Sequence, residues 1–193
     1  VTQRSAATGK GTMVRIARDI VERSGVDVPA LIAALTDAAR AELSDFYRYG
    51  VLAAHPLAGI DGPLREILQD VRTEDRHHFD ALAARICELE GRLPDDLFGF
   101  VRPAPPPAVL DPLAELLAAE RRAVETYSRL CERTAGRDHR THDLVRAILN
   151  EKLEHRAWFA EYAGAEGAAP PRFRPGFRGR SPYLPKTRPD APA

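Results

Sequence analysis

Four stretches of helical periodicity in this 193-residue chain each place a carboxylate among the leucines of one face. In the first, Leu31, Leu35, Ala38, Glu42, Phe46, Tyr49 and Leu52/Ala53 recur at three- to four-residue spacing. The second carries Leu64, Ile67, Leu68, Val71, Glu74, His77/His78, Leu82, Ile86 and Leu89. The third has Leu113, Leu116, Leu117, Glu120, Val124, Tyr127 and Leu130/Cys131, and the fourth Leu144, Ile148, Glu151/Lys152, His155, Trp158/Phe159 and Tyr162. Buried carboxylates are costly unless a cation compensates them. A helical core holding several therefore predicts a bound or built-in positive charge.

The punctuation sets the helix limits. A short helix is expected from Thr12 to Arg23, closed by Ser24-Gly25. Asp27 reads as an N-cap with Pro29 in the first turn, and His55-Pro56 ends that long helix. The second helix starts at Pro63 and stops at Gly91, the third opens with Asp111-Pro112, and the fourth follows Gly136-Arg-Asp138 and ends before Gly164. The short turn around Gly59–Pro63 predicts antiparallel neighbours. The connection from Gly91 to Asp111 contains Pro103, Pro105, Pro106 and Pro107. About 20 residues can span on the order of 65 Å extended, whereas a 28-residue helix is only about 42 Å long. This link can return along the whole bundle and leave helices two and three parallel. Two tight hairpins joined by one long crossover give an all-α, ferritin-like four-helix bundle. Residues 1–26 are then an N-terminal extension, 27–164 the bundle, and 165–193 a Pro/Arg-rich tail.

Charge excludes some roles. The 28 basic and 28 acidic residues balance, so no global field favours nucleic acid or a membrane. No apolar run approaches the 18 or so residues of a membrane span, and a cytoplasmic location is expected. Cys87 and Cys131 suit neither a disulfide framework nor a zinc knuckle and read as reduced thiols.

Glu and His three apart on a helix can converge on one point. Glu74 and His77 meet this spacing, with Glu42 and Glu120 as single carboxylates from helices one and three and His78 as the rival to His77. On helix four the residue three before His155 is Lys152, whose ammonium cannot ligate a metal while protonated. Three readings stay open. Glu151 completes a two-metal site, or the site holds one metal, or the ammonium replaces the metal.

Across residues 14–186 the sequence resembles the Dps-like ferritins of prokaryotes, also called thioferritins. The resemblance rests on Ala41-Glu-Leu with Tyr47 and Tyr49, Gly59-Ile-Asp-Gly62, Glu74-Asp-Arg-His-His-Phe79, and Glu120 with Tyr127 and Leu130-Cys131. It continues through Thr134-Ala-Gly-Arg-Asp-His-Arg-Thr141, Glu154-His-Arg-Ala-Trp-Phe159 and the tail from Phe173 to Tyr183. It implies a hollow homo-oligomeric shell of 12 subunits that takes up iron, oxidises Fe²⁺ to Fe³⁺ with peroxide or dioxygen, and protects against oxidative stress. It maps ligands onto Glu42, Glu74, His77, Glu120 and His155, with Glu151 the substitute on helix four. The sixth family ligand falls on Lys152, and the family's cysteine pair is replaced, Arg122 standing in helix three. Whether the chain is a ferroxidase turns on that departure. The tail from Arg172 to Arg188 holds six basic residues and could lie along DNA phosphates, although its Phe173, Phe177 and Tyr183 match a tail packed on the shell.

Overall fold

The computed structural model describes residues 8–54, 60, 62–101 and 111–164. They form α1 (Thr8–Arg23), α2 (Val28–Ala54), α3 (Gly62–Glu88), a single turn α4 (Leu97–Phe100), α5 (Pro112–Thr134) and α6 (His139–Gly164), with no strand among the described residues. The tail and the proline cluster of the crossover, both singled out in the sequence, lie outside the described residues.

The caps at Asp27 and Asp111 are those the sequence announces, and Asp138 is a third. Asp27 Oδ1 accepts from the Ala30 amide at 3.0 Å. Asp111 Oδ1 accepts from Leu113 and Ala114 at 3.0 and 3.1 Å, with Pro112 in the first turn of α5. Asp138 Oδ1 accepts from Thr141 at 3.0 Å and starts α6. α3 leaves the helix through Glu90, the non-glycine residue with positive φ (63°) among those described, and Gly91 follows because a Cβ there would meet Ile86 and Ile32 at 2.7 and 2.8 Å. α1 begins four residues earlier than its periodicity suggests. The turn α4 is too short to have a period, so the sequence gives no sign of it. Its buried Phe100 fixes the start of the crossover to α2, where Arg40 Nε donates to the Phe100 carbonyl at 2.6 Å and the guanidinium lies over the ring.

Helix directions follow from side-chain pairs. His78 meets Glu42, and Arg65 donates to the Ala53 carbonyl, so α3 runs antiparallel to α2. Tyr49 meets Glu120 while Tyr127 meets Glu42, so α5 is also antiparallel to α2. Hence α3 and α5 are parallel, as the long crossover requires. His78 with Glu151 and Glu74 with His155 set α6 antiparallel to α3.

The core comes in two apolar blocks. One joins Leu31, Leu35, Leu82, Ile86, Leu130, Val145 and Ile148. The other joins Tyr49, Leu64, Leu68, Val71, Leu116 and Phe159. Between them lies a layer of buried polar groups, so the bundle is dry at both ends and charged at its waist. At one end a second buried ion pair ties α3 to α6. Arg85 Nη2 donates to both Asp138 oxygens at 3.0 Å, and Nε to Thr141 Oγ1 at 2.7 Å. Arg85→Ala strands Asp138 and should lower stability by about 3–5 kcal/mol. Arg140→Ala, removing an exposed partner of Glu88, should cost at most about 1 kcal/mol. Chemical denaturation of the two variants checks the contrast, and equal losses would contradict it.

Candidate metal centre at the bundle waist

Each helix brings its polar residues to the waist from a helical position flanked by apolar ones. α2 supplies Glu42 and Tyr49, α3 supplies Glu74, Asp75 and His78, α5 supplies Glu120 and Tyr127, and α6 supplies Glu151, Lys152 and His155. All but Glu74 are at most 2% exposed.

Lys152 occupies the middle of this set. Its Nζ donates to Asp75 Oδ1 at 2.6 Å and lies 2.9 Å from Glu42 Oε2. Glu42 Oε1 accepts from the Tyr127 hydroxyl at 2.7 Å. His78 stands between two carboxylates, with Nδ1 3.1 Å from Glu42 Oε2 and Nε2 hydrogen-bonded to Glu151 Oε2. Both ring nitrogens can donate at once only in the imidazolium form. On the other side of the waist, His155 Nε2 is 2.5 Å from Glu74 Oε2, and its Nδ1 lies 3.7 Å from Glu120 Oε2. Glu120 Oε1 accepts from the Tyr49 hydroxyl at 2.8 Å. The two imidazoles are stacked with centroids 6.4 Å apart, and Trp158 lies against His155.

The electrostatics follow from this crowding. Burial opposes charge on Lys152, but Asp75, Glu42 and Glu120 around it raise its pKa well above the ordinary value, so it is a permanent cation. Burial likewise opposes charge on both imidazoles. Glu42 and Glu151 nevertheless raise His78 to about 9, and Glu120 and Glu74 raise His155 to about 10. Burial would raise Glu42 and Glu120, yet Lys152 and the histidines hold both below the usual carboxylate range. Asp75 goes the other way. Burial and the neighbouring Glu42 and Glu120 push it well up despite Lys152. Carboxylates outnumber cations here, so the waist keeps a negative excess.

The residues expected from the sequence are thus divided. Glu42, Glu74, Glu120, Glu151 and His155 are at the waist. His77 is directed elsewhere, its Nε2 accepting from Arg76 Nη2 at 2.9 Å, and His78 takes the central place. The sequence reading does not single out Asp75. Its signal is the second Asp/Glu-x-x-His spacing, Asp75 to His78, one residue out of phase with Glu74 to His77. Glu151 and Lys152, adjacent in sequence, both point inward.

Can these groups hold a metal? Glu42, Asp75 and His78 each offer one donor atom within 4.8 Å of the others. The Glu42 and Asp75 oxygens nearest Lys152 already hold its ammonium, so that cluster is filled by a built-in cation. Four waist atoms are buried without a hydrogen-bond partner, Asp75 Oδ2, Glu151 Oε1, Glu120 Oε2 and His155 Nδ1, and the last two face each other at 3.7 Å. Two donors sharing an ion at about 2.1 Å each lie roughly 3–4 Å apart, and these are at that spacing. With Glu74 beside them, this half of the waist fits one divalent cation.

The ferritin-like domain family matches residues 32–166, and the chain belongs to it. Among curated proteins the chain is 43% identical over 178 residues to a DNA protection during starvation protein from Pyrococcus furiosus, covering 88% of this chain and 95% of that one. Among solved structures it resembles a dodecameric thioferritin, the bacterioferritin-related protein from Bacteroides fragilis, with a TM-score of 0.70 and 28% identity over 78% of this chain and 93% of that one. Together these make it a Dps-like ferritin. Among the described residues no helix is long and apolar enough to cross a membrane.

Two outcomes follow for the metal-free protein. Lys152→Met leaves Glu42 and Asp75 buried without their cation and should lower stability by about 3–5 kcal/mol in denaturant unfolding. A loss below about 1 kcal/mol would show that the ammonium is not needed there. For pH, the folded pKa values of His78 and His155 lie above the ordinary value near 6.5. Their stabilisation is complete below that value and is lost as pH rises through about 9 and 10. The melting temperature should fall from pH 7 to 10, and more gently in His78→Gln. A parallel fall in both proteins would contradict the assignment.

Proposed function

We propose that the chain is an iron-handling shell subunit in which the Lys152 ammonium takes the place of one of two metal ions. One Fe²⁺ binds per subunit, held by Glu74, Glu120 and His155. The observation that carries this is the fully buried Lys152, its Nζ 2.6 Å from Asp75 and 2.9 Å from Glu42. A second divalent ion at those oxygens would have to displace a buried ammonium or sit against it. Like charges at such a separation repel strongly where water is excluded.

The chemistry proposed is oxidation of Fe²⁺ to Fe³⁺ by peroxide or dioxygen, with carboxylates suited to both oxidation states. Fe²⁺ is the substrate and the ferric product the cargo. A single bound Fe²⁺ supplies one electron whereas peroxide takes two. Two Fe²⁺ are therefore consumed per peroxide (2 Fe²⁺ + H2O2 + 2 H⁺ → 2 Fe³⁺ + 2 H2O), the second electron coming from another Fe²⁺, and oxidation at this centre is slower than at a two-iron one. His155 loses its proton to become a ligand, so uptake releases protons and tightens as pH rises. The likeness to a dodecameric thioferritin and to a protein named for DNA protection supports a homo-oligomeric shell, of 12 subunits in this reading, that stores iron and limits oxidative damage.

Elemental analysis of the assembled protein after anaerobic Fe²⁺ loading and desalting tests this. Close to one iron per subunit is expected, rising toward two in Lys152→Glu, which turns the ammonium into a ligand. Two in the unaltered protein would show that Lys152 does not fill a metal position. None would sink the iron reading.

A further inference from the structure

α2 and α5 do not close tightly along their length. Alanines at positions 38, 41, 119 and 123 face each other and leave a cavity of about 350 Å³. Its floor is Glu42 and Tyr127, two groups of the waist, and its walls carry Ser44, Asp45, Arg122 and Thr126. The cavity therefore joins the charged layer from the side.

Asp45 is the informative residue. It lies three residues after Glu42 and four before Tyr49 on α2, one helical turn from each. Tyr49 in turn is hydrogen-bonded to Glu120. Asp45 is half-buried, and no hydrogen bond or ion pair with a described residue engages its carboxylate. Arg48, the next cation along α2, is committed to Glu115. An unpaired carboxylate placed between two others is unfavourable without a ligand. Consistent with this, burial pushes Asp45 up to about 7, with Glu120 and Glu42 adding and the Lys152 and Arg48 charges opposing. Nothing in the packing of α2 requires an acid at this position. A neutral oxidant would gain little from a carboxylate, whereas a divalent cation gains a first protein ligand. Two carboxylates within a narrow, low-dielectric cleft also focus potential and raise the local cation concentration.

We propose that the α2–α5 cavity is the entry site for a divalent cation, with Asp45 the carboxylate that receives it before it passes to Glu120 and His155. This rests on the one-ion reading above. Asp45 is then a transit ligand. It changes how fast the ion arrives and leaves, and not how tightly it is finally held. Arg122, exposed at the rim, opposes entry.

The protein carries a single tryptophan, Trp158, whose ring centroid lies 5.4 Å from that of His155. Binding of paramagnetic Co²⁺ at His155 should therefore quench its fluorescence. Stopped-flow mixing of the full-length assembled protein with Co²⁺ reads the entry rate, and displacement by a chelator reads the exit rate. In Asp45→Asn both rates should fall by roughly tenfold or more, the low end of electrostatic focusing, with the Co²⁺ stoichiometry and the helical circular dichroism unchanged. Asp45→Glu should restore much of the rate, and Arg122→Gln should raise it. Entry within about twofold of the unaltered protein in Asp45→Asn would overturn the proposal while leaving the one-ion centre standing. So would slower reaction with peroxide at an unchanged Co²⁺ rate, which would make the cavity an oxidant path. No quenching and no Co²⁺ uptake by the unaltered protein would instead bring down the one-ion reading, and the entry site with it.

Discussion

A protonated amine at the centre of the bundle is the constraint on which the rest of this structure depends. Five carboxylates and two imidazoles from four helices converge on a layer between two apolar blocks. Without positive charge that layer would drive the helices apart or force the carboxylates to protonate. Lys152 supplies the charge from within the chain. It bridges Glu42 on α2 and Asp75 on α3 while belonging to α6, so one side chain holds three helices in register. The tyrosines on α2 and α5 complete the arrangement by closing onto Glu120 and Glu42.

The same contact separates the two halves of the waist chemically. On one side one oxygen each of Glu42 and Asp75 is held by the ammonium, although Asp75 Oδ2 stays unpartnered. On the other, Glu120 Oε2 and His155 Nδ1 face each other at 3.7 Å without a hydrogen bond. Asymmetry of this kind is what replacing one ligand of a paired site by a cation produces. In the one-ion reading proposed above, the fold and the outline of the centre stay, and a covalently attached charge takes the place of one of two ions. Stability gained in this way does not depend on the metal supply, and the remaining site is left with a negative excess that still favours a cation.

Much of this was legible in the sequence, for identifiable reasons. The caps Asp27 and Asp111, the break at Gly136-Arg-Asp138 and the length of the crossover announce four long helices and their directions, because capping and loop reach are local or geometric properties. Glu42, Glu120, Glu151 and His155 were readable as inward because each sits in a clear three-to-four repeat. The α3 segment was not, because Glu74-Asp75 and His77-His78 are two overlapping pairs with the same spacing. Helical phase alone cannot choose between them, and the choice is made by packing against Glu42 and Glu151. The inward direction of both Glu151 and Lys152 was hidden for a related reason. Neighbouring residues differ by about 100° around a helix, and only a layer with partners on two sides accepts both. Asp45 had no signal at all, since its interest lies in the gap between α2 and α5.

The most direct test is a crystal structure of the protein loaded anaerobically with Fe²⁺, with anomalous diffraction at the iron edge. The account predicts one iron peak per subunit, against Glu74, Glu120 and His155, with the Lys152 ammonium still between Asp75 and Glu42. Two peaks, or a peak at Glu42, Asp75 and His78 with Lys152 displaced, would contradict it.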